Sequence, residues 1–192
     1  MLRRLYDWTM LQAAKPHALA ILACISFVES SVFPIPPDVL LIPMILAQRE
    51  RAFWIALVCT VASVAGGFLG YLIGWGLYES VGVPILDFYG YLAKFTEFQA
   101  MYNDNGAWIV FFAGLTPFPY KVITIASGVT ALDPWVFGLA SVASRGLRFF
   151  ILAGLLWYWG PWIKGFIDRY FGWLTLAFFV LLIGGFALLR LL

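Results

Sequence analysis

Apolar runs interrupted twice by paired prolines, with short polar knots between them, organise this chain. Residues 17–33 are mostly apolar, a proline cluster follows, and Val39–Ala47 is apolar again. Each arm is shorter than the roughly 20 residues a membrane-crossing helix needs, so the pattern predicts a re-entrant hairpin over 17–47. One long kinked span is the competing arrangement. After the polar Gln48-Arg49-Glu50-Arg51, the apolar run from Phe53 predicts a full span over 53–78, which closes a first unit at 17–78. Residues 79–106 carry Glu79, Asp87, Lys94, Glu97 and Asp104, and read as an interfacial connector. A second unit over 107–160 repeats the plan, with a hairpin at 107–131, the turn signal Asp133-Pro134 and a span at 135–160. Residues 1–16 mix Arg3, Arg4, Asp7 and Lys15 with large apolar side chains, as an interfacial helix does, and 172–192 reads as a final span.

The two units share more than their outline. Phe33-Pro34-Ile35-Pro36-Pro37-Asp38 is answered by Thr116-Pro117-Phe118-Pro119-Tyr120-Lys121, with an acid in the first and a base in the second. Pro117 lies 83 residues after Pro34, and Ser144, in Val142-Ala143-Ser144, lies 81 after Ser63, in Val61-Ala62-Ser63. A hairpin plus one span crosses a bilayer an odd number of times, so a second copy must sit upside down. The breaks at Pro34, Pro36, Pro37, Pro117 and Pro119 remove backbone donors. Broken backbone inside a membrane is tolerated where protein or a wet cavity covers it, and paired breaks in two halves point to a transport site.

Composition fits that frame. The 192 residues are 63% hydrophobic and 11% charged, with a mean hydropathy of +0.92. Soluble domains carry about 25% charged residues. Most of the nine tryptophans flank the apolar runs, as interfacial anchors do. The expected fold is therefore an all-α integral membrane domain over 1–192: an inverted repeat of re-entrant helical hairpin plus transmembrane helix, with an N-terminal interfacial helix and a C-terminal transmembrane helix. Arg3, Arg4, Lys15, Arg49, Arg51, Lys164 and Arg169 fall on one side, and only Lys94 and Arg190 on the other, which sets the N-terminus in the cytoplasm. No cleavable leader is evident. Gly66, Gly70 and Gly74 share a helical face suited to close packing, within a subunit or between copies of a homo-oligomer.

Five charged residues lie deep in apolar sequence: Glu29, Asp38, Lys121, Arg145 and Arg148. Each would cost a few kcal/mol facing lipid, so they should face one another or water. Pairs such as Glu29–Arg148 or Asp38–Arg145 would act as internal braces. The bases outnumber the acids, which leaves room for an anion, and arginine forks suit phosphate. Lys121, Arg145 and Arg148 are the candidate substrate-binding residues. Glu29 and Asp38 are candidates for proton coupling, Glu29 for its apolar setting and Asp38 for its place at a proline break. Ser30 and Ser31 are expected to satisfy local hydrogen bonds. A net charge of +2 without a basic tract argues against nucleic acid. His17 stands alone, Cys24 and Cys59 lie in apolar runs, and no nucleophile or metal-ligand spacing appears, so neither an enzyme nor a cofactor is expected.

Phe27-Val28-Glu29 followed by Pro34 and Pro36-Pro37-Asp38 resembles the first hairpin of the DedA family, within the VTT-domain (SNARE-associated Golgi protein) superfamily. Residues 116–121 with Ala126-Ser127-Gly128 resemble its second hairpin, and Ser144-Arg145-Gly146-Leu147-Arg148 is similar to the segment that follows. The likeness covers roughly residues 20–160. Gly114 and Tyr120 stand where many members carry arginine, and Lys121, Arg145 and Arg148 supply positive charge instead. The resemblance implies a bacterial inner-membrane protein with two facing re-entrant hairpins. It also implies lipid movement between leaflets, flippase- or scramblase-like and driven by the proton-motive force, with a polyprenyl phosphate or a phospholipid as cargo. A proton-coupled transporter of small solutes and a non-transporting assembly factor are the alternatives.

Overall fold

Proline and its neighbours set several of the helix ends. In a computed structural model, which describes residues 17–32, 36–116, 118–160 and 162, every regular element is helical. Helix α1 (Ala18–Ser31) stops before the first proline cluster, and α2 (Asp38–Ala47) starts from Pro37, whose missing N–H would have had no helical partner there. After a 3₁₀ turn at Arg49–Arg51, α3 (Ala52–Leu77) runs through a π turn, Tyr78–Gly82, into α4 (Val83–Phe88). Helix α5 (Leu92–Leu115) ends at Thr116, whose extended backbone is what a following proline imposes. Helix α6 (Tyr120–Val129) starts after Pro119. Helix α7 (Pro134–Gly160) is capped by Asp133, whose Oδ1 accepts the N–H groups of Trp135 at 2.8 Å and Val136 at 3.0 Å. The expected interfacial helix 1–16, the final span 172–192, Pro34 and Pro117 lie outside the described residues.

One expected boundary moves. The connector drawn over 79–106 is helical for most of its length, and α5 runs without a break across the 106/107 division. Its charges, Lys94, Glu97 and Asp104, are exposed, while Tyr102, Gly106 and Val110 are buried. A half-exposed helix has the same mean polarity as a connector, and the average hid its period.

Contacts fix the helix directions. α3 and α7 cross in opposite senses: Phe53 meets Trp157 with ring centroids 6.2 Å apart, Ser63 meets Arg145 at the middle, and Phe68 meets Phe137 at 5.3 Å. α1 runs parallel to α3, with Ser26 on the Cys59 carbonyl and Ser30 on Ser63. α6 also runs parallel to α3, with Tyr120 beside Gly67 and the Ile125 carbonyl beside Gly74. α5 and α2 accompany α7 in the same manner, through Gly114 beside Ser144, and through Asp38 on Arg148 and Leu46 beside Gly160. It follows that α1 and α2 are antiparallel, as are α5 and α6. Glycine permits the close approaches: a Cβ on Gly66 would overlap the Phe27 carbonyl, and one on Gly74 the Ile125 carbonyl.

Two apolar clusters sit at opposite ends of the crossing. One gathers Leu22, Leu41, Ile45, Ala56, Phe149 and Ala153; the other gathers Tyr71, Tyr102, Val110, Phe137 and Ala140. Two continuous helical stretches, Arg49–Phe88 and Pro134–Gly160, are long and apolar enough to cross a membrane.

Candidate functional site

Small polar side chains fill the level between the two clusters, and the internal charges are set among them. Arg145 leaves the middle of α7 with only 3% of its surface exposed. Its Nε donates to Ser63 Oγ at 2.6 Å, and its Nη2 donates to Glu29 Oε2 at 3.2 Å. Ser63 and Ser30 share a hydrogen bond of 2.7 Å, and Ser30 Oγ donates to Glu29 Oε2 at 3.2 Å. Only one proton arrangement satisfies all four bonds. Arg145 donates to Ser63, Ser63 to Ser30, and Ser30 to Glu29, which also accepts from Arg145. The ring is closed. The guanidinium lies over the rings of Tyr120 and Phe149, 4.8 Å from each centroid, within cation–π range of both.

One helical turn further along α7, Arg148 joins the two proline breaks. Its Nη2 donates to Asp38 Oδ2 at 2.6 Å, immediately after Pro37, and its Nη1 donates to the Thr116 carbonyl at 3.1 Å, immediately before Pro117. This pair is about a quarter exposed; in the other pair Arg145 is nearly closed off, while Glu29 keeps about the exposure of Asp38. Asp38 Oδ1 is buried and has no hydrogen-bond partner among the described residues.

Four of the five expected charged residues thus pair, with the partners exchanged: Glu29 takes Arg145 and Asp38 takes Arg148. The reason is direction. α1 runs alongside α3 and delivers Glu29 to the level of Ser63, where Arg145 crosses; α2 runs alongside α7 and starts at Arg148. Lys121, half-buried at the start of α6, forms no ion pair among the described residues. Of the other breaks, Pro37 is buried and Pro36 and Pro119 are exposed.

Several members of the site were not picked out from the sequence. Ser31 bonds locally, to the Phe27 and Val28 carbonyls, but Ser30 reaches 33 residues along the chain to Ser63. Tyr120 donates to Ser141 Oγ at 2.6 Å, and Thr124 to the Ser30 carbonyl at 3.2 Å. The serines of the two Val-Ala-Ser copies carried the signal. They mark the one level at which both long helices are polar.

The chain is 37% identical to an uncharacterized protein of Haemophilus influenzae and 33% identical to one of Histophilus somni, each over 151 residues that cover 79% of this chain and 78% of the relative. No family model and no solved structure matches it.

Proposed function

We propose that this chain, which belongs to the family of the Haemophilus influenzae and Histophilus somni proteins, is an integral membrane transporter that moves a phosphate-bearing lipid between leaflets. The outward faces of α3 and α7 support a membrane setting: Val61, Leu72, Leu139 and Val142 are all more than half exposed, a surface that soluble monomers rarely present in continuous form. α1, α2 and α6, of 14, 10 and 10 residues, reach only about 15–21 Å, short of the roughly 30 Å of hydrocarbon. The antiparallel α1–α2 and α5–α6 pairs, with α3 and α7 opposed, support the inverted repeat, although α5, of 24 residues, is longer than the short arm expected of a re-entrant hairpin over 107–131. The DedA resemblance and the basic-residue distribution favour the bacterial inner membrane, with the N-terminus inside.

The observation that carries the reading is Arg148, held at once by Asp38 beside one break and by the Thr116 carbonyl beside the other. A guanidinium so placed ties the hairpins together while the site is empty. An incoming phosphate competes for the same fork, and protonation of Asp38 favours the exchange by removing its negative charge. Each hairpin is then free to open toward its own leaflet, while the lipid tails stay in the bilayer. Arg145 stays locked in its ring with Glu29, a pair without net charge while the carboxylate is ionised, and Glu29 is the second proton-accepting carboxylate. The chemistry is transport without a covalent step. In reconstituted vesicles, Arg148→Ala should lower the initial rate of leaflet exchange of an acyl-labelled phospholipid by about tenfold or more, the worth of a charged hydrogen bond. A folded Arg148→Ala protein exchanging lipid at the parent rate would reject the role.

A further inference from the structure

We propose that the protein binds a primary ammonium group in a cavity far from the internal charges, between the π turn, α5 and the end of α6. The inference needs the membrane setting above but not the lipid-transport reading. The cavity has a volume of about 370 Å³, and its lining includes Trp75, Tyr78, Glu79, Gln99, Gly128 and Val129. Tyr78 and Glu79 come to it from the π turn Tyr78–Gly82, a feature that recurs at functional sites.

The polar groups gathered here accept hydrogen bonds. Glu79 lines the cavity as an exposed carboxylate and forms no ion pair among the described residues. No lysine, arginine or histidine belongs to the lining. Gln99 spends its Nε2 on the Thr130 carbonyl at 2.8 Å, which leaves its Oε1 as an acceptor. Asn103, one turn further along α5, donates to the same carbonyl at 3.0 Å, so the two amides are neighbours. Its Oδ1 is buried and has no donor among the described residues. The cavity also lies at the C-terminal end of α6, the negative pole of that helix.

A carboxylate, two amide oxygens and a helix C-terminus favour a cation that carries N–H groups. A primary ammonium has three donors for these acceptors, whereas a trimethylammonium has none. Calcium takes six to eight oxygen ligands, and no metal-binding group of His, Cys, Asp and Glu occurs among the described residues. Depth favours the same ligand. From the polar Arg49–Arg51 turn, roughly 20 residues of α3 cross the hydrocarbon, so Trp75 to Glu79 reach the headgroup level on the far side. Trp75, 59% exposed, suits that level as an anchor. An ammonium arrives there on a lipid headgroup or as a free amine from the water.

The test uses the full chain in detergent with equal amounts of phosphatidylethanolamine and phosphatidylcholine of the same acyl chains, bound lipid being read by native mass spectrometry. The parent chain should retain the primary amine about fivefold or more over the quaternary one, the scale of a charged hydrogen bond. Glu79→Gln, which keeps the size of an exposed side chain, should bring the preference close to parity. Asp87→Asn, at an exposed acid outside the lining, should leave it unchanged. The second arm adds free ethanolamine to the chain in phosphatidylcholine micelles and follows the thermal midpoint. A rise in the parent that Glu79→Gln lacks, without any lipid preference, would uphold the ammonium site and assign it to a soluble amine. Equal retention of both lipids with no response to ethanolamine would overturn the inference. So would a parent-like preference in Glu79→Gln, or its loss in Asp87→Asn. None of these readouts involves Arg148 or lipid exchange, so the transport reading is tested separately by its own assay.

Discussion

Arg145 and Arg148 differ in how completely the protein encloses them, with 4% and 26% of the side-chain surface exposed, and this divides their roles. Arg145 donates to Ser63 and Glu29 within a closed ring and lies against two aromatic rings, so it cannot turn to a ligand without breaking several contacts. Removing one member of a buried pair strands the other, at a cost of about 3–5 kcal/mol. Glu29→Ala should therefore lower the thermal midpoint of the purified protein sharply, and Glu29→Leu combined with Arg145→Met should recover most of it without recovering lipid exchange. Recovery of both would make the pair a brace alone. Arg148, paired with Asp38, is more open than Arg145. A purely structural role for them predicts that exchanging the two, Asp38→Arg with Arg148→Asp, preserves lipid exchange; the transport account predicts folded protein with exchange lost, because the cation then leaves the α7 face.

The glycine ladder of α3 is the feature on which the helix arrangement depends most closely. α1 and α6 pack on α3 through Gly66, Gly70 and Gly74, where added carbon would meet Phe27, Thr124 and Ile125. Gly76, two residues beyond the ladder, has open space around it. Gly66→Val should prevent α1 from seating and lower the thermal midpoint by several degrees or abolish folding, while Gly76→Ala should stabilise by about 0.5–1 kcal/mol through reduced freedom of the unfolded chain. Thermal melts in detergent measure both. This ladder was legible in the sequence because spacing by four places side chains on one helical face. The proline breaks were legible too, since proline acts locally. The extent of α5 was not, because its charges lie on an exposed stripe that an average over the segment mistakes for a connector. The pairing of the charges was hidden for another reason. It depends on which hairpin arm lies beside which long helix, and no local pattern in Glu29 or Asp38 encodes that.

At the scale of the molecule, each long helix carries the first arm of its own half and the second arm of the other, so neither half closes its core alone. The clusters around Leu41 and Phe149 and around Tyr71 and Phe137 both draw on α3 and α7. The account predicts that the start of α3 and the end of α7 face one compartment, and the start of α5 and the α6–α7 turn the other. With Cys24 and Cys59 replaced, a membrane-impermeant thiol reagent should label Glu50→Cys and Asp133→Cys from opposite sides. Labelling of both from one side would remove the inverted arrangement.

Whether a lipid headgroup enters the polar level at all is most directly read by photocrosslinking. Vesicles holding the full chain and a phospholipid with a diazirine beside its phosphate would be irradiated, and the adducts located by mass spectrometry. The account predicts adducts on the peptides around Asp38 and from Thr116 to Lys121, diminished in Arg148→Ala. Adducts confined to the outer faces, at Leu139, Val142 or Trp135, would contradict it.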